Sequence, residues 1–465
     1  MRPSESFAKH LAAEYAHGLL TTDEVKHALA DWKEGREGRP VSEGQEGLWI
    51  LQQSYPEMTA YNVPLCFRVK ALNVAVFRRA CHFLIWRYPI LNAFIGRRDG
   101  RLQQWEEPDR PVLVHEHDMT LAEPDAPLAA VRSRAKQVFA VDQAPLLAVD
   151  VFAMPKDEWV VLFNVHHIVF DGASAAIVWE CLSEVYRELL AGGAPALQRP
   201  AASFHDFVRH ERQLMADGGD ALSYWTEKLA DLPPPIELGD RGAAGGRRHF
   251  AGVTERQLLA PDASDRMRVF AAAQGVHVST LLLAAYKMVL ADPTGRRDLI
   301  VGMPVNERRQ KRFEKTVGLL INMLPVRSRL KPAETFARFV QQLQNDLVDA
   351  IAYSYPFRAL VRALDPVRDA SVPLRSFKQP SCSRTCSAAS TKRAPRSSSC
   401  RRSARRVNTS CRWKCLNKVA ASCSTGSTTR SASAKRSSGQ WRPRSSTSCR
   451  LRCRGPSKPS ARWSR

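Results

Sequence analysis

Apolar residues recur along the first part of the chain with two different spacings. Three stretches in which apolar residues run together or alternate with polar ones predict β-strands, at 60–70, 146–154 and 158–168. Apolar residues at every third or fourth position predict amphipathic helices at 74–89, where a proline ends the pattern, and at 174–193, which closes on two glycines. Strands and helices therefore follow one another in the order of a mixed α/β domain.

The same spacings continue through the next 160 or so residues, interrupted by a connector rich in proline and glycine. The predicted elements are a helix at 205–230, helices at 262–275 and 278–291, strands at 298–305 and 317–330, and a helix at 333–352. We divide this part of the chain into a first half at 40–228, a connector at 229–252 and a second half at 253–374.

Residues 1–39 precede the first half. The pattern predicts short helices at 7–18 and 22–33, and the second opens on Thr21-Thr-Asp-Glu24, a capping-box sequence. We interpret this segment as a helical lead-in. A linker or docking element to an upstream protein is the alternative.

Charge and cysteine divide the chain at one point. The formal charge of +23 would suggest an anionic partner, but residues 375–465 hold 24 of the 69 basic groups and no acidic ones. The preceding 374 residues keep 45 basic against 46 acidic groups, 69 less 24, so this body is balanced. Eight of the eleven cysteines also lie in the tail, and the body's three, Cys66, Cys81 and Cys181, imply no disulfide framework.

The tail at 375–465 is rich in Ser, Arg and Cys and poor in Leu, Ile and Val, so we expect it to be disordered. A basic arm for nucleic acid and a metal site built from its three CxxxC pairs are two interpretations. We favour a third, translation out of frame. Back-translating Leu374 to Cys386 and reading two nucleotides on permits the apolar, strand-like string ALFQATFVLQNL.

No signal peptide and no apolar run of about 20 residues is visible, so we expect a cytoplasmic protein with neither a membrane nor a nucleic acid as partner.

The candidate chemistry lies in Asn164-Val-His-His-Ile-Val-Phe-Asp-Gly-Ala-Ser174, at the end of a predicted buried strand and before a helix. Neighbouring strand residues point to opposite faces, which argues against a shared metal and for one reactive and one buried histidine among His166 and His167. Imidazole suits acyl transfer, since its pKa near 6.5 lets it accept a proton at neutral pH. Asp171 could orient the histidine or hold the loop through a salt bridge, and Gly172 permits close approach of a substrate. A buried histidine pair beside an ordinary Asp-Gly turn is the alternative.

Further stretches, in a fixed order, carry a family resemblance. His166–Gly172 matches HHxxxDG, the signature of nonribosomal peptide synthetase condensation domains in the chloramphenicol acetyltransferase-like superfamily. The stretches similar to the other motifs are 42–52, 87–94, 204–208, 317–327, 353–360 and 368–374. Gly47 stands where the first motif usually has an arginine, and the last motif is one residue short.

The resemblance implies an α/β fold of two acetyltransferase-like lobes in a V-shaped pseudo-dimer, with a tunnel between them. Donor acyl-thioester and acceptor aminoacyl-thioester would arrive on the phosphopantetheine arms of partner carrier domains, and the domain itself would bind no cofactor or metal. Adenylation domains or polyketide synthase modules are further expected partners. The family continues past the last motif with a strand similar to the alternative-frame string, so we expect the second lobe to be incomplete.

Residue by residue, the resemblance makes His167 the catalytic base or the positioner of the amine. His166 and Asp171 would be structural, Asp171 paired with Arg308 rather than its neighbour Arg309, and Gly172 would offer its N–H near the oxyanion. The other residues of the expected tunnel lining or packing are Trp49, Arg87 and Asn322.

Two related domains fit the sequence less well, and two other functions stay open. A heterocyclisation domain would need aspartate in place of His166, and an epimerisation domain usually differs in the later motifs. A stand-alone acyltransferase that esterifies an alcohol is the alternative enzyme. An inactive synthetase fragment that only binds carrier protein is the alternative of another class.

Overall fold

The computed structural model describes residues 37–107, 110–123, 125–195, 199–234, 236, 250, 252, 254–364 and 414–415, and helical positions between 11 and 30. The described helical positions fall within the two predicted lead-in helices. Of the tail at 375–465 only Lys414–Cys415 are described, so the disorder expected for the tail lies outside the described residues. Most of the connector at 229–252 lies outside them too.

Apart from the short strand β10 of the tail, the larger sheet lies in the first half and is built mainly from the strands that the sequence predicts. In spatial order its strands are β10 (Lys414–Cys415), β2 (Asn62–Lys70), β7 (Glu158–His166), β6 (Leu147–Met154) and β5 (Val114–Asp118). The β2–β7 and β7–β6 pairs are antiparallel and β5–β6 is parallel. Strands β6 and β7 are buried along most of their length because helices cover both faces of the sheet.

The alternation of side chains along β7 sorts its residues between the two faces. Val161, Phe163 and Val165 belong to the main core, which includes α2 (Val74–Arg87) and α4 (Gly172–Leu190). Leu162 belongs to a smaller core with Val131 of α3 (Ala126–Ala135) on the other face. His166 lies four residues after Leu162, so it falls on the α3 face at the end of the strand.

A second, three-stranded sheet has the order β1 (Arg39–Pro40), β4 (Arg101–Glu106), β3 (Ala93–Arg98). Helix α1 (Glu43–Ser54) begins at a capping box in which Ser42 and Gln45 bond each other's backbone N–H groups. The predicted helix at 205–230 is two helices, α5 (Phe204–Asp217) and α6 (Gly219–Lys228). They meet at Gly218, where any side chain would collide with the carbonyl oxygen of Leu214.

The second half contains α7 (Pro261–Ala273), α8 (Val278–Thr294), the antiparallel pair β8 (Asp298–Asn306) and β9 (Ile321–Arg329), α9 (Phe336–Ala352) and α10 (Phe357–Leu364). Its core joins α8 and α9 to this pair of strands. The loop between β8 and β9 packs elsewhere: Phe313, Val317, Leu319 and Leu320 enter the main core of the first half. The two halves are therefore joined through this loop as well as along the chain.

Within the described part of the chain, no single helix is long and apolar enough to cross a membrane. Helix α7 and residues Val278–Asp292 meet the length and composition criteria together, but they are bent by 102° at their junction.

Candidate active site

The two histidines lie where strand β7 gives way to a turn. His166 is the last residue of the strand, and His167–Val169 form one turn of 3₁₀-helix before α4 begins at Gly172. The strand alternation predicted from the sequence therefore applies to His166, whereas His167 takes its direction from the turn.

His166 is buried and neutral. Its side chain is 1% exposed, and its Nδ1 accepts a hydrogen bond from the N–H of Ile168 at 3.1 Å, which assigns the ring proton to Nε2. Burial, aided by the neighbouring His167, lowers the pKa of His166 to about 4. The His166 ring is therefore both inaccessible and weakly basic.

His167 is half-buried and held through its backbone. Its N–H donates to the carbonyl oxygen of Tyr61 at 2.8 Å, and the two rings meet edge to face with centroids 6.2 Å apart. Among the described residues, no group of three His, Cys, Asp or Glu side chains is placed to hold a metal ion. The arrangement leaves one accessible imidazole on a fixed turn.

Asp171 ends the turn and is bound from three directions. Its carboxylate forms a bidentate ion pair with Arg308, in which the two guanidinium nitrogens lie 2.8 and 2.9 Å from the two carboxylate oxygens. Both side chains are almost fully buried. It also accepts a hydrogen bond from the N–H of Ser174 at 2.8 Å, so Asp171 caps α4, and another from the N–H of Leu320 at 2.9 Å. The predicted Asp171–Arg308 pair is thus present, and it joins the turn of the first half to the β8–β9 loop.

Ser174 and Gly318 extend this junction. The Ser174 hydroxyl accepts from Arg308 at 2.8 Å, and it exchanges hydrogen bonds with the carbonyl and N–H of Gly318, both at 3.0 Å. Gly318 has a φ of 154°, and a side chain there would overlap the ring of Phe204. Sequence reasoning singled out neither residue, because partners this distant along the chain leave no local pattern.

Gly172 is the first residue of α4 and is exposed, with no atom within 4 Å of the position that a Cβ would occupy. The first N–H groups of a helix have no partner within the helix and carry the positive end of its dipole. Gly172 is therefore open at its Cβ position and lies at the electropositive end of α4.

Asn322, Trp49 and Arg87 each contact a different part of the fold. Asn322 donates to Ser354 Oγ at 3.1 Å and to the carbonyl of Tyr355 at 2.8 Å, which holds the loop after α9. Trp49 lies under the guanidinium of Arg97, 5.1 Å from the ring centroid. Arg87 donates to the hydroxyl of Tyr88 at 3.1 Å.

Gln45 is a site residue that the sequence analysis missed. It is fully buried, and its Nε2 donates to the carbonyl of Ile168 at 3.2 Å and to Gln104 Oε1 at 2.6 Å. Its place in a capping box was a readable signal for the start of a helix, but not for contact with the histidine turn.

Comparison with known proteins assigns this architecture to a family. The family model described as the condensation domain matches residues 36–377, and the chain belongs to that family. Condensation domains are acyltransferases that form amide bonds. The match ends close to the change of composition at residue 375.

Two relatives show where such domains occur. Polyketide synthase PksN of Bacillus subtilis (strain 168) is 33% identical over 336 residues, which cover 71% of this chain and 6% of PksN. Phosphinothricin tripeptide synthetase PhsB of Streptomyces viridochromogenes is 30% identical over 339 residues, covering 71% of this chain and 28% of PhsB. The chain thus spans a small part of the length of these multidomain relatives.

Solved structures have the same fold. The first condensation domain of the calcium-dependent antibiotic synthetase, in complex with a substrate analogue, is 27% identical with a TM-score of 0.62, covering 71% of this chain and 79% of that one. The X-domain from teicoplanin biosynthesis also has a TM-score of 0.62, at 23% identity, and supports the fold alone.

Proposed function

We propose that this chain joins an acyl or peptidyl thioester to an amine, forming an amide within the biosynthesis of a nonribosomal peptide or a peptide–polyketide hybrid. The observation that carries the proposal is the half-buried His167 on a turn fixed by the buried Asp171–Arg308 pair. Family membership supplies the reaction class.

The reaction needs one proton to move from nitrogen to sulfur. The acceptor amine attacks the donor carbonyl carbon, the carbon–sulfur bond breaks, and the products are an amide and a free donor thiol. A neutral imidazole at His167 would accept the amine proton or hold the amine for attack. The nearby neutral, buried His166 adds no competing charge.

The developing oxyanion needs a donor of its own. Gly172 is at the N-terminus of α4, with open space at its Cβ position, and its N–H would suit this role. In the same proposal His166 and Asp171 are structural, and Trp49, Arg87 and Asn322 pack or hold loops around the substrate path.

The substrates we propose are thioesters on the phosphopantetheine arms of two carrier domains, with adenylation domains or polyketide synthase modules as neighbours. The multidomain synthetases among the relatives support this proposal. We further propose that the two halves are acetyltransferase-like lobes that enclose a tunnel, and that the second lobe lacks its last part.

The test is a single-turnover assay with a carrier-bound acyl donor and a carrier-bound aminoacyl acceptor, followed by mass spectrometry of the acceptor carrier. His167→Ala is expected to lower the rate roughly 10²- to 10⁴-fold, the usual contribution of a general acid–base group. His82→Ala removes an exposed histidine of α2 and is the control, with a rate unchanged from wild type.

Each other result has a distinct meaning. A His167→Ala rate equal to that of wild type would remove this residue from the chemistry. A cooperatively folded wild type without amide product would favour the inactive fragment. Faster transfer to an alcohol than to the amine would favour the esterifying enzyme.

A further inference from the structure

Gln45 connects helix α1 to the turn that carries His167. Its side chain uses both ends: Oε1 accepts the N–H of Ser42 at 3.1 Å, and Nε2 donates to the carbonyl of Ile168 at 3.2 Å. A buried amide with both ends bonded has a defined orientation, because any rotation would leave buried polar groups unpaired.

The bond to Ile168 reaches the middle of the turn. Ile168 directly follows His167, its N–H already binds His166 Nδ1, and its carbonyl accepts from Gln45. The turn is thus held at its start by the strand, at its end by Asp171, and in between by Gln45. Without the Gln45 amide, the Ile168 peptide would lose one of its two restraints.

Helix α1 is itself braced from the second half of the chain. Arg358 of α10 pairs with Glu43 and Glu46 at 3.1 and 2.9 Å, and Arg362 pairs with Glu43 at 2.6 Å. A Cβ at Gly47 would lie 3.7 Å from Cδ of Arg358, an ordinary van der Waals contact, so the Arg358 side chain passes close to the backbone of α1. Gln45 therefore acts from a helix that is fixed on both sides.

We propose that Gln45 is a positioning residue for His167: through the carbonyl of Ile168 it sets the orientation in which the imidazole meets the substrate. The proposal rests on the proposed function for the role of His167, and it concerns a residue that touches no substrate. Its experiment therefore combines kinetics with a measurement that needs no activity.

The chain offers a matched control on the same helix. Gln52 is also buried, at 3% exposure, and its Nε2 donates to the carbonyls of Pro56 and Met58 at 2.9 and 3.3 Å. Gln45→Met and Gln52→Met each remove a buried amide of the same size. A role confined to stability predicts a loss of Tm in each variant and no difference in catalysis between them.

Positioning predicts a split between the two variants. Gln45→Met is expected to lower kcat roughly 10- to 100-fold, in line with small misplacements of a catalytic group, whereas Gln52→Met stays within about twofold of wild type. KM for the acceptor stays within about twofold in both, because neither residue contacts it. Gln45→Glu is the second variant, for use if Gln45→Met does not fold. It keeps the shape and the bond to Ser42 but loses the Nε2 donor, and it is expected to lower kcat by a similar factor.

The second readout is the ¹⁵N-histidine NMR spectrum, in which the His167 signal is identified by its absence in His167→Gln. Gln45→Met is expected to shift this signal and Gln52→Met to leave it in place. Equal kcat and equal His167 signals in the two variants would overturn the proposal. If the wild type forms no amide but Gln45→Met still shifts the His167 signal, the positioning role stands and the proposed function is refuted.

Discussion

Replacing Arg308 by methionine is expected to destabilise the protein more than any nearby change of charge. Arg308 donates five side-chain hydrogen bonds at 2.8–3.0 Å, to Asp171 twice and to Ser174, Asn306 and Thr316. Methionine fills much of the same volume but makes none of these bonds. The Asp171 carboxylate would then remain in the interior without its counter-charge.

The magnitude follows from what remains around that carboxylate. Removing one partner of a buried ion pair typically costs roughly 3–5 kcal/mol in free energy of unfolding. Asp171 keeps the N–H groups of Ser174 and Leu320 as donors, which favours the lower end of that range, about 3 kcal/mol.

The neighbouring arginine is the control. Arg309 is 38% exposed and pairs with Glu307 at 2.7 Å, so Arg309→Met is expected to cost at most about 1 kcal/mol. Adding Asp171→Asn to Arg308→Met removes the unpaired charge while keeping a side-chain oxygen for the cap of α4. The double variant is expected to regain at least about 1 kcal/mol over Arg308→Met.

The assay is urea unfolding followed by both tryptophan fluorescence and far-UV circular dichroism, with coincident curves as the requirement for a two-state analysis. An Arg308→Met variant within about 1 kcal/mol of wild type would refute the reasoning, because the buried pair would then contribute no more than an exposed one. Equal losses in the Arg308 and Arg309 variants would refute it as well.

Two further predictions concern the pH dependence and the packing of the site. The pKa of His166 falls from near 6.5 in the unfolded chain to about 4 in the fold. About 3 kcal/mol in free energy of unfolding is therefore present above pH 6.5 and is lost as the pH falls through 4, because the unfolded chain takes up the proton more readily. In His166→Gln the free energy of unfolding should depend less on pH between 4 and 6.5. Gly318→Ala should lower the free energy of unfolding in urea by roughly 1–3 kcal/mol, because its new methyl group would overlap Phe204. Gly219→Ala is the control and should lower it by less than about 0.5 kcal/mol, since the Cβ position there is open.

Much of the first half follows from local patterns. The apolar runs at 158–168 and 174–193 predicted β7 and α4. The predicted strand alternation does not extend to His167, because the strand ends at His166 and His167 begins the 3₁₀ turn. The hairpin of β3 and β4 was missed, although Asp99-Gly100 between two alternating stretches is a typical hairpin signal. Both turn residues have positive φ, as a type I′ turn requires.

The contacts that fix the site were less predictable. Arg308 was expected opposite Asp171 through family resemblance, and nothing local distinguishes it from Arg309. Ser174 and Gly318 meet across 144 positions of sequence, and Gln45 reaches Ile168 across 123. Pairings of this kind depend on how two separately patterned halves pack, which hydrophobic periodicity does not encode.

The position of His167 is determined by residues well before the change of composition at 375. Its turn is bound by Tyr61, Gln45 and Asp171, and Asp171 in turn by Arg308 and Leu320. The described part of the second half therefore contributes the β8–β9 loop, which completes the support of the turn. If the folded chain proves inactive while the His167 signal responds to Gln45, the proposed function fails for this chain even though the imidazole is held in its turn.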